Sequence, residues 1–506
     1  MDEIFRPSLR ALVAHSFSFV FALLVLLIYT GLIPLIITSV AGLLAGAILF
    51  IIALAGFVIL DYLMLKNTWA QVREEGIFIG RGIIAKSRSM LLYSQIQDVK
   101  ENESFIDMLI GTKSITVVTM SNLSATAGSI PALSRKDADA LRSAVLARIL
   151  GKGRGGDAKA QGVGVQDAAR MVPNPFKLQI GKIISAQFVI IAALAAVSFM
   201  ACAAVVVFLG LNIGILAPVL AAFVAIAVLL LGIVMFGSLM TGILYSYSVG
   251  EETIMIEYGL FSKTRVQIPL SKVQQLTISQ GAIERYAGIA HFIIDTGAMP
   301  TVAGSSKSPV VLNSIPLLLK DDAVKLRAFI LKSAGYVFEE EQPALVGEVP
   351  LDSSSVIKRT AGSAFSFALL GAIALALIFF FAPKGTSSAL YIALALGTVV
   401  IAVIVVLQHV YNNYYLKNYY YNMAKDLLVV RTGVLGRHET VLPIDKIQNV
   451  FIDQDLFDRI FGLWDIHTST AGFRAGMHVH IDGLNSANAA VMRGILLKAV
   501  SSKGKK

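Results

Sequence analysis

Three short basic stretches carry the clearest chemistry in this sequence. Lys86 lies four residues beyond Gly82, Lys263 four beyond Gly259, and Arg437 four beyond Gly433. Two residues further on the chain is basic at Arg88 and Arg265 and acidic at Glu439. Cations at alternating positions of an extended strand share one face. Near a bilayer each gains about 1 kcal/mol from anionic lipid, fading within a Debye length. Lys86, Arg88, Lys263, Arg265 and Arg437 are therefore candidate residues for binding lipid head groups. The alternative is a hairpin turn whose charges keep a sheet edge solvated.

Other reactive side chains lack pattern. His438, His467, His478 and His480 crowd the C-terminal region, and the last two share a strand face, a spacing compatible with a metal. Two histidines without a cysteine make an incomplete set, so no metal is expected. Asp107, Glu284 and Asp458 stand singly, which suits capping or a local ion pair better than acid–base catalysis. No HExxH, GxSxG, phosphate loop or kinase-like set occurs, so neither an enzyme nor a cofactor is expected. The single cysteine, Cys202, lies in an apolar run and builds no disulfide framework.

The basic stretches recur because the chain is an internal triplication. Gln97 to Gly111, Gln274 to Gly288 and Gln448 to Gly462 are each fourteen residues apart, and Gly82 to Gln97, Gly259 to Gln274 and Gly433 to Gln448 are each fifteen. Every copy reads as strands up to and beyond the first glycine, with apolar and polar residues alternating through the glutamine. One helical turn follows, closed by the second glycine in a left-handed conformation. A further strand and an amphipathic helix complete the copy. In the first helix Ser134 is placed to cap, and Leu141, Val145 and Ile149 recur every four residues.

This pattern resembles the bacterial pleckstrin-homology-like domain, in the triplicate membrane-anchored arrangement of YdbT-like proteins. Copies two and three match best, with Pro269 and Pro443 before the glutamine and Thr470-Ala471-Gly472 after the strand. Copy one departs, with Tyr93 near the proline position and Met108 after Asp107. The resemblance implies seven strands and a C-terminal helix per copy. It also implies an association with the cell envelope, in maintenance or defence, without a settled activity.

Composition points to a membrane protein. Apolar residues make up 56% and charged residues 15%, so the net charge of +10 belongs to the polar modules. Ala11–Gly31, Val40–Leu60, Ile183–Gly210, Ile215–Tyr245, Thr360–Ala382 and Ala389–Tyr411 reach the ~20 residues that a spanning helix needs. The expected fold is six transmembrane helices in three pairs, each pair followed by a PH-like β-barrel or sandwich capped by a helix. The expected divisions are hairpin 1–66, module 67–150, flexible linker 151–176, hairpin 177–246, module 247–336, acidic linker 337–357, hairpin 358–417, and module with basic tail 418–506. Arg6, Arg10, Lys66, Lys177, Lys182, Lys358, Arg359 and Lys417 flank the spans on one side. By the positive-inside rule the modules and both termini face the cytoplasm of a multi-pass cell-membrane protein. The expected function is non-enzymatic, with modules that bind other membrane proteins, anionic lipid head groups or one another, and no nucleic acid. A transport or lipid-translocation component built from oligomerised hairpins is the alternative. It is disfavoured because the span interiors carry no Asp, Glu, Lys or Arg.

Overall fold

The computed structural model describes residues 3–13, 40–83, 86–119, 128–151, 171–189, 213–260, 262–297, 313–338, 345–381, 388–470 and 479–503, with scattered residues between 15 and 23 and between 192 and 200. The chain divides into two compact units. The first holds Met1–Ile180, Gly232–Val273 and Thr296–Ile315, and the second Gly181–Leu231, Gln274–Asp295 and Pro316–Lys506. The division falls inside the second copy.

In the first unit β1 (Glu3–Phe5) precedes the apolar helix α1 (Val40–Lys66), which leads into β2 (Trp69–Val72), β3 (Gly76–Arg81) and β4 (Ser87–Leu92). These four strands form an antiparallel sheet in that order. Next come β5 (Ile96–Ser104), the one-turn helix α2 (Phe105–Ile110), β6 (Thr112–Thr119), β7 (Ser129–Ser134) and α3 (Arg135–Ile149). The unit also contains β8 (Val172–Pro173), β9 (Ser246–Val249), β10 (Thr253–Tyr258) and β11 (Ser262–Pro269). A seven-stranded sheet runs β7-β6-β5-β11-β10-β9-β8. Alternation decides which residues face inward: Ile77, Ile79 and Leu91 meet Ile96, Ile115 and Ile130, and Leu141 and Val145 of α3 close the core. Each such aliphatic side chain contributes about 1.5–3 kcal/mol by leaving water. Ser134 caps α3 by accepting from the Asp137 N–H, as its sequence position suggested.

The second unit contains β12 (Gln275–Gln280), α4 (Ala282–Ala287), β13 (Ile289–Asp295), β14 (Ser314–Leu319) and α5 (Lys320–Ser333). Helices α6 (Ser354–Phe381) and α7 (Ser388–Asn418) follow, then β15 (Tyr420–Ala424), β16 (Leu427–Thr432) and β17 (Arg437–Pro443). The last elements are β18 (Ile447–Asp453), α8 (Leu456–Phe461), β19 (Leu463–Thr470), β20 (Val479–Asn485) and α9 (Ser486–Lys503). One sheet is ordered β14-β13-β12-β17-β16-β15 and the other β18-β19-β20. Tyr421, Leu428, Leu442, Ile466 and Ile481 pack with Met492 and Leu496 of α9 to form the core of the third copy.

The expected six transmembrane helices in three pairs are not seen. Among the described residues two helices are long and apolar enough to cross a membrane, Ile48–Lys66 and Gly397–Asn418. An apolar run counts residues that tolerate lipid, whereas spanning needs about 20 of them in one helix, and of the expected spans Val40–Leu60 and Ala389–Tyr411 overlap the two helices that meet this test. The runs at 11–31 and 183–210 lie largely outside the described residues, as do most of the linker 151–176, Cys202 and His478. The PH-like β architecture agrees with the four sheets. The segment before the first apolar run contributes a strand that the sequence did not indicate: β1 pairs with β2, placing Ile4 opposite Gln71.

The repeat glycines have a steric reason. Gly82, Gly259 and Gly433 have φ of 107°, 116° and 104°, in turns that a side chain rarely tolerates. A Cβ on Gly433 would collide with the carbonyl oxygen of Gly436. Gly433→Ala is expected to cost about 1–3 kcal/mol of stability. Gly494→Ala, in α9 with open space around the added methyl, should be neutral or stabilising by up to about 1 kcal/mol. Thermal melting followed by far-UV circular dichroism checks both, and equal melting of the two variants would refute the steric reading of Gly433.

Candidate functional site

The most informative geometry lies where strands of successive copies pair. In the first unit β11 lies antiparallel to β5, with Arg265 opposite Glu101 and Lys263 opposite Glu103. In the second unit β12 and β17 pair in the same way, with Ile278 opposite Glu439. Both pairings set the residue six beyond the module glycine against the residue four beyond the preceding glutamine. The register is identical although the side chains are not.

At the first junction the charges balance. Arg265 bonds Glu257 and reaches Glu101 at 3.0 Å, and Arg142 of α3 lies 3.4 Å from Glu101. A cleft of about 270 Å³ is lined by Glu101, Glu103 and Glu257 together with Lys113, Lys263 and Arg265, so it offers no net charge to an anion.

Around the second junction they do not balance. A cavity of about 600 Å³ is lined by Lys320, Lys325, Arg327, Arg431 and Arg437, against the two carboxylates Asp321 and Glu439. Arg327, only 1% exposed, pairs with Glu439, which also accepts from Arg431 at 2.9 Å. Burial acts to raise the Glu439 carboxyl, but the charges and hydrogen bonds of Arg327 and Arg431 outweigh it and hold it below the ordinary range. Lys325 lies 3.6 Å from Asp322. Lys320 and Arg437 make no ion pair among the described residues. His438, whose Nδ1 is 2.9 Å from Ser279 Oγ, is pushed down by burial and so stays neutral near pH 7. The cavity thus offers cations from α5 and β17 beside the apolar surface of Ile278, Val324 and Tyr420.

The five candidate head-group residues therefore fall in different settings. Lys86 and Arg88 are exposed, with Arg88 on β4 at the end of its sheet. Lys263 is exposed, whereas Arg265 is taken up by two carboxylates. Arg437 opens onto the basic cavity. Sequence reading missed Lys320 and Lys325. It also missed the arginines Arg142, Arg327 and Arg493, which recur at one position of the three C-terminal helices and become visible once those helices are aligned on their first residues. Each recurring turn does end in a left-handed glycine, Gly111, Gly288 or Gly462, as expected. Asp107 and Asp458 close capping boxes with Ser104 and Asp455, and the Glu284 carboxylate approaches His291 to 3.6 Å.

A second cluster is buried beside the third copy. Lys358 Nζ lies 2.5 Å from Asp458, 2.9 Å from Asp482 and 3.3 Å from Asp465. These carboxylates converge closely enough to suit a metal, but the Lys358 ammonium stands where the cation would go. Asp465, His467 and His480 also lie close together. There the His467 and His480 rings stack at 4.5 Å, with Asp453 and Asp465 on their Nε2 atoms.

A family model described as "Bacterial PH domain" matches residues 19–149, 186–334 and 365–500, once for each copy. No curated protein and no solved structure matches the chain.

Removing the Lys358 charge leaves its carboxylates without their common partner, so Lys358→Met should lose about 3–5 kcal/mol of stability in denaturant titrations followed by Trp464 fluorescence. Burial acts to raise Asp465, but hydrogen bonds from His480 and the Gly483 N–H and the Lys358 charge outweigh it, and Asp465 is held well below the usual carboxylate range. Its contribution is present above an unfolded pKa of about 3.9 and is lost as pH falls through the lower folded value. Stability should drop on acidification below about pH 4. Asp465→Asn should flatten that dependence, and an unchanged acid limb would show that Asp465 does not carry it.

Proposed function

The chain belongs to the bacterial PH domain family, and from that premise we propose that it is a non-enzymatic binding protein whose modules engage anionic lipid head groups at a membrane surface. The single observation that carries this reading is the basic cavity around the β12–β17 junction. Five cations face two carboxylates there, and Lys320 and Arg437 are without ion-pair partners among the described residues. Phosphate-bearing head groups suit such a site because their anionic oxygens accept several charge-assisted hydrogen bonds at once. The helices Ile48–Lys66 and Gly397–Asn418 support attachment to a membrane, which would hold the modules close enough for weak contacts to orient them. The family and the basic flanks favour a YdbT-like cell-membrane protein with its modules in the cytoplasm.

Lys320→Glu with Arg437→Glu is the discriminating variant. In intact protein in nanodiscs, phosphatidylglycerol should slow hydrogen exchange in 320–327 and 437–441, and neutral lipid should not. The double variant should lose the effect, as about 1 kcal/mol per removed cation implies, and salt above about 0.1 M should weaken it in the wild type. Identical exchange in anionic and neutral discs would sink the lipid reading.

Side of attachment is separately testable. Single cysteines replacing Ser87, Lys263 or Arg437, in a Cys202→Ala background, should resist an impermeant thiol reagent in intact cells and react after permeabilisation. Labelling at any of the three from outside would overturn the cytoplasmic placement.

A further inference from the structure

Each junction within the chain is closed by the same parts. One strand follows the repeat glutamine, the next copy adds a strand beside it, and the recurring helix arginine meets a carboxylate. At the first junction Arg142 meets Glu101, from the preceding copy's strand. At the second Arg327 meets Glu439, from the following copy's strand, and the opposite position is Ile278. One carboxylate, from either side of the strand pair, is enough.

The third copy has these parts without the closure. β18 is the counterpart of β5 and β12, yet it ends its sheet among the described residues. Gln97 and Gln274 are 0% and 7% exposed beneath their junctions, but Gln448 is exposed. Phe451 is 40% exposed, and Arg493 is exposed where the Arg327 side chain is 1% exposed. The position that holds Glu101 in the first copy is Ile452 here. The carboxylate must therefore arrive on an incoming strand, as Glu439 does. A second copy of this chain offers β4 as the matching open strand, but β4 carries Arg88 at that position. Pairing β4 with β18 in the internal register would place Arg88 opposite Ile452, beside Arg493, with no carboxylate between the two cations.

We propose that β18 and Arg493 form a docking edge for an extended segment of a partner protein that places a carboxylate opposite Ile452, and that Arg88 prevents a second copy of this chain from filling the edge. Backbone pairing supplies the adhesion, since an open strand leaves its donors and acceptors available. The Arg493–carboxylate contact selects the partner.

A labelled peptide with the sequence of residues 434–444, containing Glu439, serves as the probe against the full chain in neutral detergent micelles. Saturable binding is expected. It should weaken at least tenfold when the peptide glutamate becomes glutamine or when the chain carries Arg493→Ala, and the two changes together should be no worse than either alone. In a second arm, Arg88→Glu in the full chain should produce head-to-tail oligomers in sedimentation, which Arg493→Ala disperses, while the wild type does not oligomerise. Arg493-dependent oligomers of Arg88→Glu support the edge even where the short peptide binds too weakly to measure. Two results would overturn the proposal. One is wild-type protein that already cross-links between copies through Ser87→Cys and Asp453→Cys in a Cys202→Ala background. The other is absence of association in both arms, or association indifferent to Arg493.

Discussion

Antiparallel pairing between strands of successive copies, in one register, is the constraint on which the rest depends. It joins β5 to β11 and β12 to β17, so that what would be an edge of one copy becomes the middle of a larger sheet. Edge strands expose unpaired backbone groups, and covering β5 and β12 with a strand of the next copy removes that exposure at both junctions. The burial of Gln97 and Gln274 and the exposure of Gln448 follow directly.

Identical backbone register with different side chains lets each junction do something different. At the first, Arg265 and Glu101 face one another and, with Lys113 and Glu257, fill the cleft with matched charge. At the second, an aliphatic residue takes the place of Glu101 and an acid takes the place of Arg265, so Glu439 serves two arginines while the remaining cations line an open cavity. Charge surplus, rather than the presence of basic residues, separates a ligand site from a structural ion pair. A buried carboxylate that neutralises an arginine removes its attraction for a solvent-borne anion as well.

The copy structure, the left-handed glycines, the capped turns and the amphipathic helices were legible in the chain because each depends on local spacing. Gly433 announces its turn by recurring with Gly82 and Gly259, and Ser134 announces a helix start by type and position. Membrane spans were less legible, because hydropathy reports which residues tolerate lipid and not which of them lie in a membrane. β1 was not legible at all: three residues carry no periodicity, and they become a strand only because β2 lies beside them.

The sequence by itself determined the triplication, the β-rich module closed by a helix, and the set of basic residues that could meet an anion. Only the tertiary structure decided which of those residues are available. Arg88, Arg265 and Glu439 occupy one position in the repeat, yet one lies on an open edge, one is held by Glu101, and one binds Arg327 and Arg431. The partners Glu101 and Arg327 lie more than a hundred residues away in the chain. Local spacing carries no record of such contacts, because they arise from the pairing of whole strands and the packing of a helix against them.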